Sequence, residues 1–214
     1  MALLPPASAL VSALVFPGTF FADPPASPPG AGRIVIAVAG VHLVGYYGFL
    51  AFAALIVAIQ QPAFTALENL ADLGGWTLFQ GILMGFVVVL NWLIVSAILH
   101  GAIRLRHGQG DFVDTVAIVG WSAPATLLAL LVSGLGFLIA VARNPIVMSF
   151  DATLKAVTPS VSLVGAIGGL LTLLWLGHIW PTALHHTHEI DRGHAAQATA
   201  LTLGICALVL ILGV

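Results

Sequence analysis

The sequence predicts an all-α polytopic membrane bundle: five transmembrane helices preceded by a short amino-terminal interfacial helix. Three observations lead there. Of 214 residues, 60% are hydrophobic and only 7% charged, with a mean hydropathy of +1.11. Soluble domains carry roughly 25% charged residues, so a water-soluble globule of this composition would be left with large exposed apolar patches. Disorder is excluded by the same figures, because disordered chains are poor in apolar residues. The apolar residues also fall in continuous runs rather than in alternation, which argues for helices over a β-barrel.

Taken in order, the first run spans Arg33 to about Gln60, the second about Trp76 to Ile103 and the third about Thr115 to Ala142. The fourth spans about Ser160 to Leu184 and the fifth Ala195 to Val214. Each meets or approaches the roughly 20 residues needed to cross the hydrocarbon. Residues 1–32 read as a separate amino-terminal segment, and residues 33–214 as one five-span domain. Leu10, Val11, Leu14 and Val15 share one helical face between Pro6 and Pro17, the pattern of a helix lying on the membrane. The proline-rich stretch Asp23 to Gly30 reads as a stiff linker into the first span. No charged n-region opens the chain, so no cleavable signal peptide is expected.

The connections are short and hold nearly all the charge. Gln61 to Gly75 carries Glu68 and Asp72. Arg104 to Asp114 carries Arg104, Arg106 and His107, with Gly108 and Gly110. Arg143 to Pro159 carries Arg143, Asp151 and Lys155. His185 to His194 is a dense polar turn. Arg33, Arg104, Arg106 and Arg192 fall on the amino-terminal side of the bundle, against Arg143 and Lys155 on the other, which places the amino terminus in the cytoplasm and the carboxyl terminus outside. Six Lys and Arg against eight Asp and Glu leave no basic patch, so nucleic acid is not an expected partner. The single cysteine, Cys206, excludes an intrachain disulfide and reads as a small hydrophobe.

Within the spans the telling feature is what they lack. Past the terminal Arg33, no Asp, Glu, Lys or Arg occupies their apolar stretches. Proton relays, ion pathways and retinal Schiff bases need such groups inside the membrane, so these functions are not expected. Gly81 with Gly85, and Gly165 with Gly169, have the small-xxx-small spacing that lets helices approach closely. Gln80 and Asn91 need hydrogen-bonding partners in lipid, most simply on another helix. His185, His186, His188 and His194 could supply imidazoles to a metal, although the turn lacks HExxH or paired-cysteine spacing. A solvated turn that attracts anionic headgroups is the competing reading. His42, His100 and His178 lie in or at the ends of three spans, where a facing pair could ligate haem. Ser122 with His178 could form an intramembrane dyad, against the plainer reading that Ser122 satisfies a backbone carbonyl freed by Pro124. No cofactor is required by any of these patterns.

Around the third span the residues combine. Gly108 and Gly110 permit a tight turn, Asp111 is a candidate N-cap with Asp114 three residues on, Phe112 can anchor the helix start, and Pro124 would kink the span. Phe16-Pro17-Gly18-Thr19-Phe20-Phe21-Ala22-Asp23-Pro24, then Leu99 to Ala102, Gly108 to Phe112, Thr115, Val119 to Pro124 and the closing turn Leu184 to Ala195 together resemble the prokaryotic branch of the Yip1 domain family. The resemblance covers nearly the whole chain. It implies five spans and a cytoplasmic amino terminus, and marks Phe20, Phe21, Gly110, Phe112, Thr115, Gly120, Trp121 and Pro124 as motif positions. Eukaryotic members of that family act in membrane trafficking with small GTPases, but the long polar amino-terminal region is missing here, and trafficking is not carried over. The expected role is a non-enzymatic scaffold in the bilayer, contacting other membrane proteins or its own copies. A His-based metal or haem b protein and a channel or carrier for a small neutral solute are the alternatives.

Overall fold

The computed structural model describes residues 6–22, 28–60, 66–143 and 150–212, and every regular element among them is helical. Eight α-helices follow in order: α1 (Ala7–Val15), α2 (Pro17–Ala22), α3 (Pro28–Gln60), α4 (Ala66–Arg104), α5 (Phe112–Ser122), α6 (Leu127–Arg143), α7 (Phe150–Thr187) and α8 (Arg192–Leu212). A short 3-10 turn, Ala123–Thr126, joins α5 to α6.

The helices outrun the expected spans. Of the proposed linker, residues 23–27 lie outside the described residues, and Pro28 to Gly30 already form the first turn of α3, where proline is tolerated because its missing N–H would have no helical partner. In the second connection, residues 61–65 lie outside the description and residues 66–75 belong to α4. In the third, residues 144–149 lie outside it and α7 begins at Phe150. Four stretches among the described residues are long and apolar enough to cross a membrane: Gly30–Gly48, Gly81–Arg104, Phe112–Ala140 and Leu163–Thr187. The fifth expected span forms α8 but is not among these four, so five crossings do not follow from the structure. Helix α8 packs on α4 and α7 through a stripe at helical spacing, Ala195, Ala198, Thr199 and Thr202, all buried.

The bundle is apolar on its outside as well as in its core. Ile82, Phe86 and Leu93 on α4, and Leu163, Ile167, Leu170 and Leu174 on α7, are exposed at helical spacing and form lipid-facing stripes. The buried core contains Ile34, Leu99, Ile103, Ile118, Ile179, Trp180 and Leu184, from α3, α4, α5 and α7.

The amino-terminal segment differs from a helix lying only on the membrane. Ala13 and Phe21 are buried in the main core, and Leu10 and Leu14 pack against it. The Trp175 indole N–H donates to the Leu14 carbonyl at 3.0 Å. Val11 and Val15, on the adjoining side of α1, remain exposed. Helix α1 thus uses its apolar face on α5 and α2 rather than leaving all of it to lipid.

Candidate functional site

The motif residues converge on α5. Its start is fixed by the expected capping arrangement: the Asp111 N–H donates to Asp114 Oδ2 at 3.1 Å, and the two side chains form a capping box. Its end is fixed by Pro124, which cannot donate. The Ala123 N–H turns back to the Gly120 carbonyl, three residues away, and the chain tightens into the 3-10 turn before resuming as α6. Between these limits Thr115, Ala117, Ile118, Val119, Gly120, Trp121 and Ser122 are all buried.

The turn before α5 is built differently from its expected form. Gly108 N–H donates to the Ile103 carbonyl and His107 N–H to the Arg104 carbonyl, both at 3.1 Å, which closes α4 with a Schellman motif. The left-handed residue is His107, with φ 62°, not either glycine. The glycines serve close approach instead: a side chain at Gly108 would strike Ile103, and one at Gly110 would strike the His188 ring.

That His188 contact completes a polar chain. Arg104 Nε donates to His100 Nε2 at 3.3 Å, and His100 Nδ1 lies 3.1 Å from Thr115 Oγ1, which lies 3.1 Å from His188 Nε2. A guanidinium only donates, so His100 must carry its proton on Nδ1 and give it to Thr115. The Thr115 hydroxyl then donates to His188 Nε2, which leaves the His188 proton on Nδ1. That atom is buried and has no hydrogen-bond partner. Burial pushes the His188 pKa below its usual value; Asp114 and Asp111 pull it back up, while His100 and Arg104 push it further down. The Phe112 ring stands edge-on to His100 at 5.5 Å and covers this cluster.

A second cluster sits at the other end of α5. Phe20 packs on Trp121 at 4.8 Å and edge-on to Phe21 at 5.0 Å. Gly120 lies against Ala31 of α3, where an added Cβ would come within 2.7 Å of the Ala31 Cβ. The Trp180 indole N–H donates to Ser122 Oγ at 2.9 Å, and Ser122 donates to the Val119 carbonyl at 2.9 Å. Trp92 likewise donates to the Val116 carbonyl at 3.0 Å. Trp121 Nε1 is buried without a partner.

The proposed chemistries do not assemble. Ser122 spends its proton on a carbonyl and accepts from Trp180, so its hydroxyl is not paired with His178, which is exposed on α7. The histidine turn is shorter than expected, since α7 continues through Thr187 and α8 begins at Arg192. Glu189, at φ 52°, stops α7, and Asp191 Oδ2 accepts from the Gly193 N–H at 2.8 Å to start α8. His185 bonds the Ile190 carbonyl at 2.7 Å, His188 points into the bundle, and His186 and His194 are exposed. Among the described residues no three His, Cys, Asp or Glu side chains gather as a metal set. His42 and His100 are held separately, by the Val38 carbonyl and by Thr115.

The glycine pairs divide. A side chain at Gly81 would strike the Tyr47 ring and a Cβ added at Gly165 would lie 3.3 Å from Ser133 Oγ, whereas one at Gly85 would meet open space. The close approach of α6 to α7 rests on Gly168 against Ala129 and Gly136 against Val164, which the four-residue spacing did not single out. Gly169 instead lines a cavity of about 380 Å³ bounded by α3, α4, α5, α6, α7 and α8. Nothing in the linear sequence marks this cavity, because its walls come from six helices.

A family model described as the Yip1 domain matches residues 11–214, and so takes in α2 and most of α1 along with the spans. Comparison with characterised proteins and with solved structures gives no match.

Proposed function

Because the chain belongs to the Yip1 domain family over nearly its whole length, and is a multi-pass helical membrane protein, we propose that it acts as a non-enzymatic scaffold that holds partners within the bilayer. One observation carries the reading. The side chains best suited to nucleophilic or acid–base work are committed to structural bonds: Ser122, Thr115, His100 and His188 join neighbouring elements, and His185 holds the α7–α8 turn. The exposed polar groups nearby, His186, Glu189, Asp191, Arg192 and His194, form a compact surface at the α7–α8 turn that a partner could read. In this reading the turn faces the cytoplasm, on the side that also carries Arg33, Arg104 and Arg106.

Purification from membranes in mild detergent after crosslinking tests this. The expected result is a reproducible set of membrane-protein partners or self-crosslinked oligomers, lost when Glu189, Asp191 and Arg192 are changed together to alanine. Recovery of the protein alone, or labelling by a serine-directed fluorophosphonate that disappears in Ser122→Ala, would overturn it.

A further inference from the structure

The cavity between the helices goes beyond the scaffold reading and does not depend on it. Its volume, about 380 Å³, falls in the range of ligand pockets, roughly 300–1,000 Å³. It lies at the depth of the four apolar stretches, so the molecules that can reach it are those dissolved in the bilayer. Among the described residues no Asp, Glu, Lys or Arg lines it, so a phosphate or carboxylate headgroup would enter without a counter-charge from them, at a cost of several kcal/mol. Most of the wall is aliphatic, including Val38, Val95, Leu173 and Leu176, and suits a hydrocarbon chain.

Its polar groups narrow the choice further. Ser122, Thr126 and Thr172 already donate to backbone carbonyls. His42 and Asn91 differ. His42 Nδ1 lies 2.9 Å from the Val38 carbonyl, which can only accept, so the proton sits on Nδ1 and Nε2 is left as a lone-pair acceptor. The Asn91 amide has no hydrogen-bond partner among the described residues. A bare acceptor and a bare amide in a hydrocarbon-like wall ask for a ligand that can give a proton as well as accept one. A ketone, a quinone or a fully esterified lipid only accepts. A hydroxyl does both.

We infer that this cavity binds an uncharged membrane lipid with a free hydroxyl, whose chain lies along the aliphatic wall and whose O–H donates to His42 Nε2, with Asn91 meeting the adjoining polar atoms.

The cavity carries its own reporters, Trp92 and Trp180. The full chain, reconstituted in phosphatidylcholine nanodiscs, is titrated with a monoacylglycerol brominated on its chain, and tryptophan quenching is read. The expected curve saturates at low mole fraction. Binding weakens about tenfold in His42→Phe, the scale of one lost hydrogen bond in an apolar site. It weakens similarly for a probe with its hydroxyls methylated, and is abolished in Gly169→Leu, which fills the cavity. Quenching that rises linearly and matches brominated phosphatidylcholine would show bulk contact only and overturn the site. Saturable quenching that is equally strong for the methylated probe would overturn the hydroxyl assignment. The methylated probe decides the matter on the unaltered protein should either variant fail to fold.

Discussion

Helices α5 and α6 are two halves of one crossing, and they are held by opposite means. In α5 seven of the eight positions 115–122 are buried, and polar atoms do the joining: Thr115 to both histidines, Ser122 to Trp180, and the Val116 carbonyl to Trp92. In α6 Leu131, Leu135, Leu138 and Ile139 face outward, and the inward positions are Gly134, Gly136 and Ala140. Lipid offers no hydrophobic incentive to bury leucine, so α6 gains by dispersion at close approach, which small residues permit. Helix α5, wrapped by α1, α3, α4 and α7, lies in protein rather than lipid and can carry hydroxyls and an indole. Pro124 separates the two regimes by breaking the hydrogen-bond ladder between them.

Substitutions in each half test this contrast. Gly120→Leu should have the largest effect, because the added side chain meets the Ala31 backbone, 3.2 Å from its nearest atoms, as well as its methyl. A loss of about 3 kcal/mol or more is expected, read as failure to give a monodisperse peak in detergent. Gly168→Val in the small-residue half should cost about 1–3 kcal/mol by thermal unfolding, since Ala129 Cα lies 2.9 Å from the added Cβ. Thr115→Val keeps the shape of α5 but strands two imidazoles, and should cost about 1–2 kcal/mol. An unchanged Tm in Thr115→Val would show that the polar chain contributes nothing to the α5 half.

Acid should act on the α5 half through His188. The folded pKa of His188 is lowered, chiefly by burial, so the unfolded chain takes up a proton first as pH falls below about 6.5. Stability from this group is fully present above that pH and is lost as pH falls toward the folded value. The measurement is Tm in detergent at pH 7.5 and pH 5.5. The drop should shrink in His188→Leu and persist in Gly168→Val. Asp114, Asp111, His100 and Arg104 are the charged and titratable groups around His188, and the two carboxylates reduce the effect without reversing it. The smallest change expected is a gain. His107→Gly relieves a left-handed non-glycine residue and should stabilise the α4–α5 turn by up to about 1 kcal/mol in the same assay.

Much of this was readable in the linear chain. The lack of charge in the spans required helices in lipid, the Asp111–Asp114 spacing located the start of α5, and Pro124 located its break. These are local matters, decided by backbone chemistry within a few residues. The roles of the glycines are less legible. Periodicity marks which residues are small, but only the register of α6 against α7 picks out Gly168 and Gly136 as the close contacts. In the turn before α5 spacing suggests a conformational role for Gly108 and Gly110, whereas their role is contact and His107 takes the left-handed position.

What the sequence determined by itself is the solvent: a chain this apolar must place its helices in a bilayer, because no arrangement of so few charges could keep it in water. What only the tertiary structure decided is which polar groups are used up and which remain. Thr115 and His188 are 73 residues apart and meet through one hydroxyl, while His42, bonded to the Val38 carbonyl through Nδ1 alone, and Asn91, without a hydrogen-bond partner among the described residues, line a common cavity. Hydrogen bonds act over about 3 Å, and distances on that scale between distant residues exist only once the helices have packed.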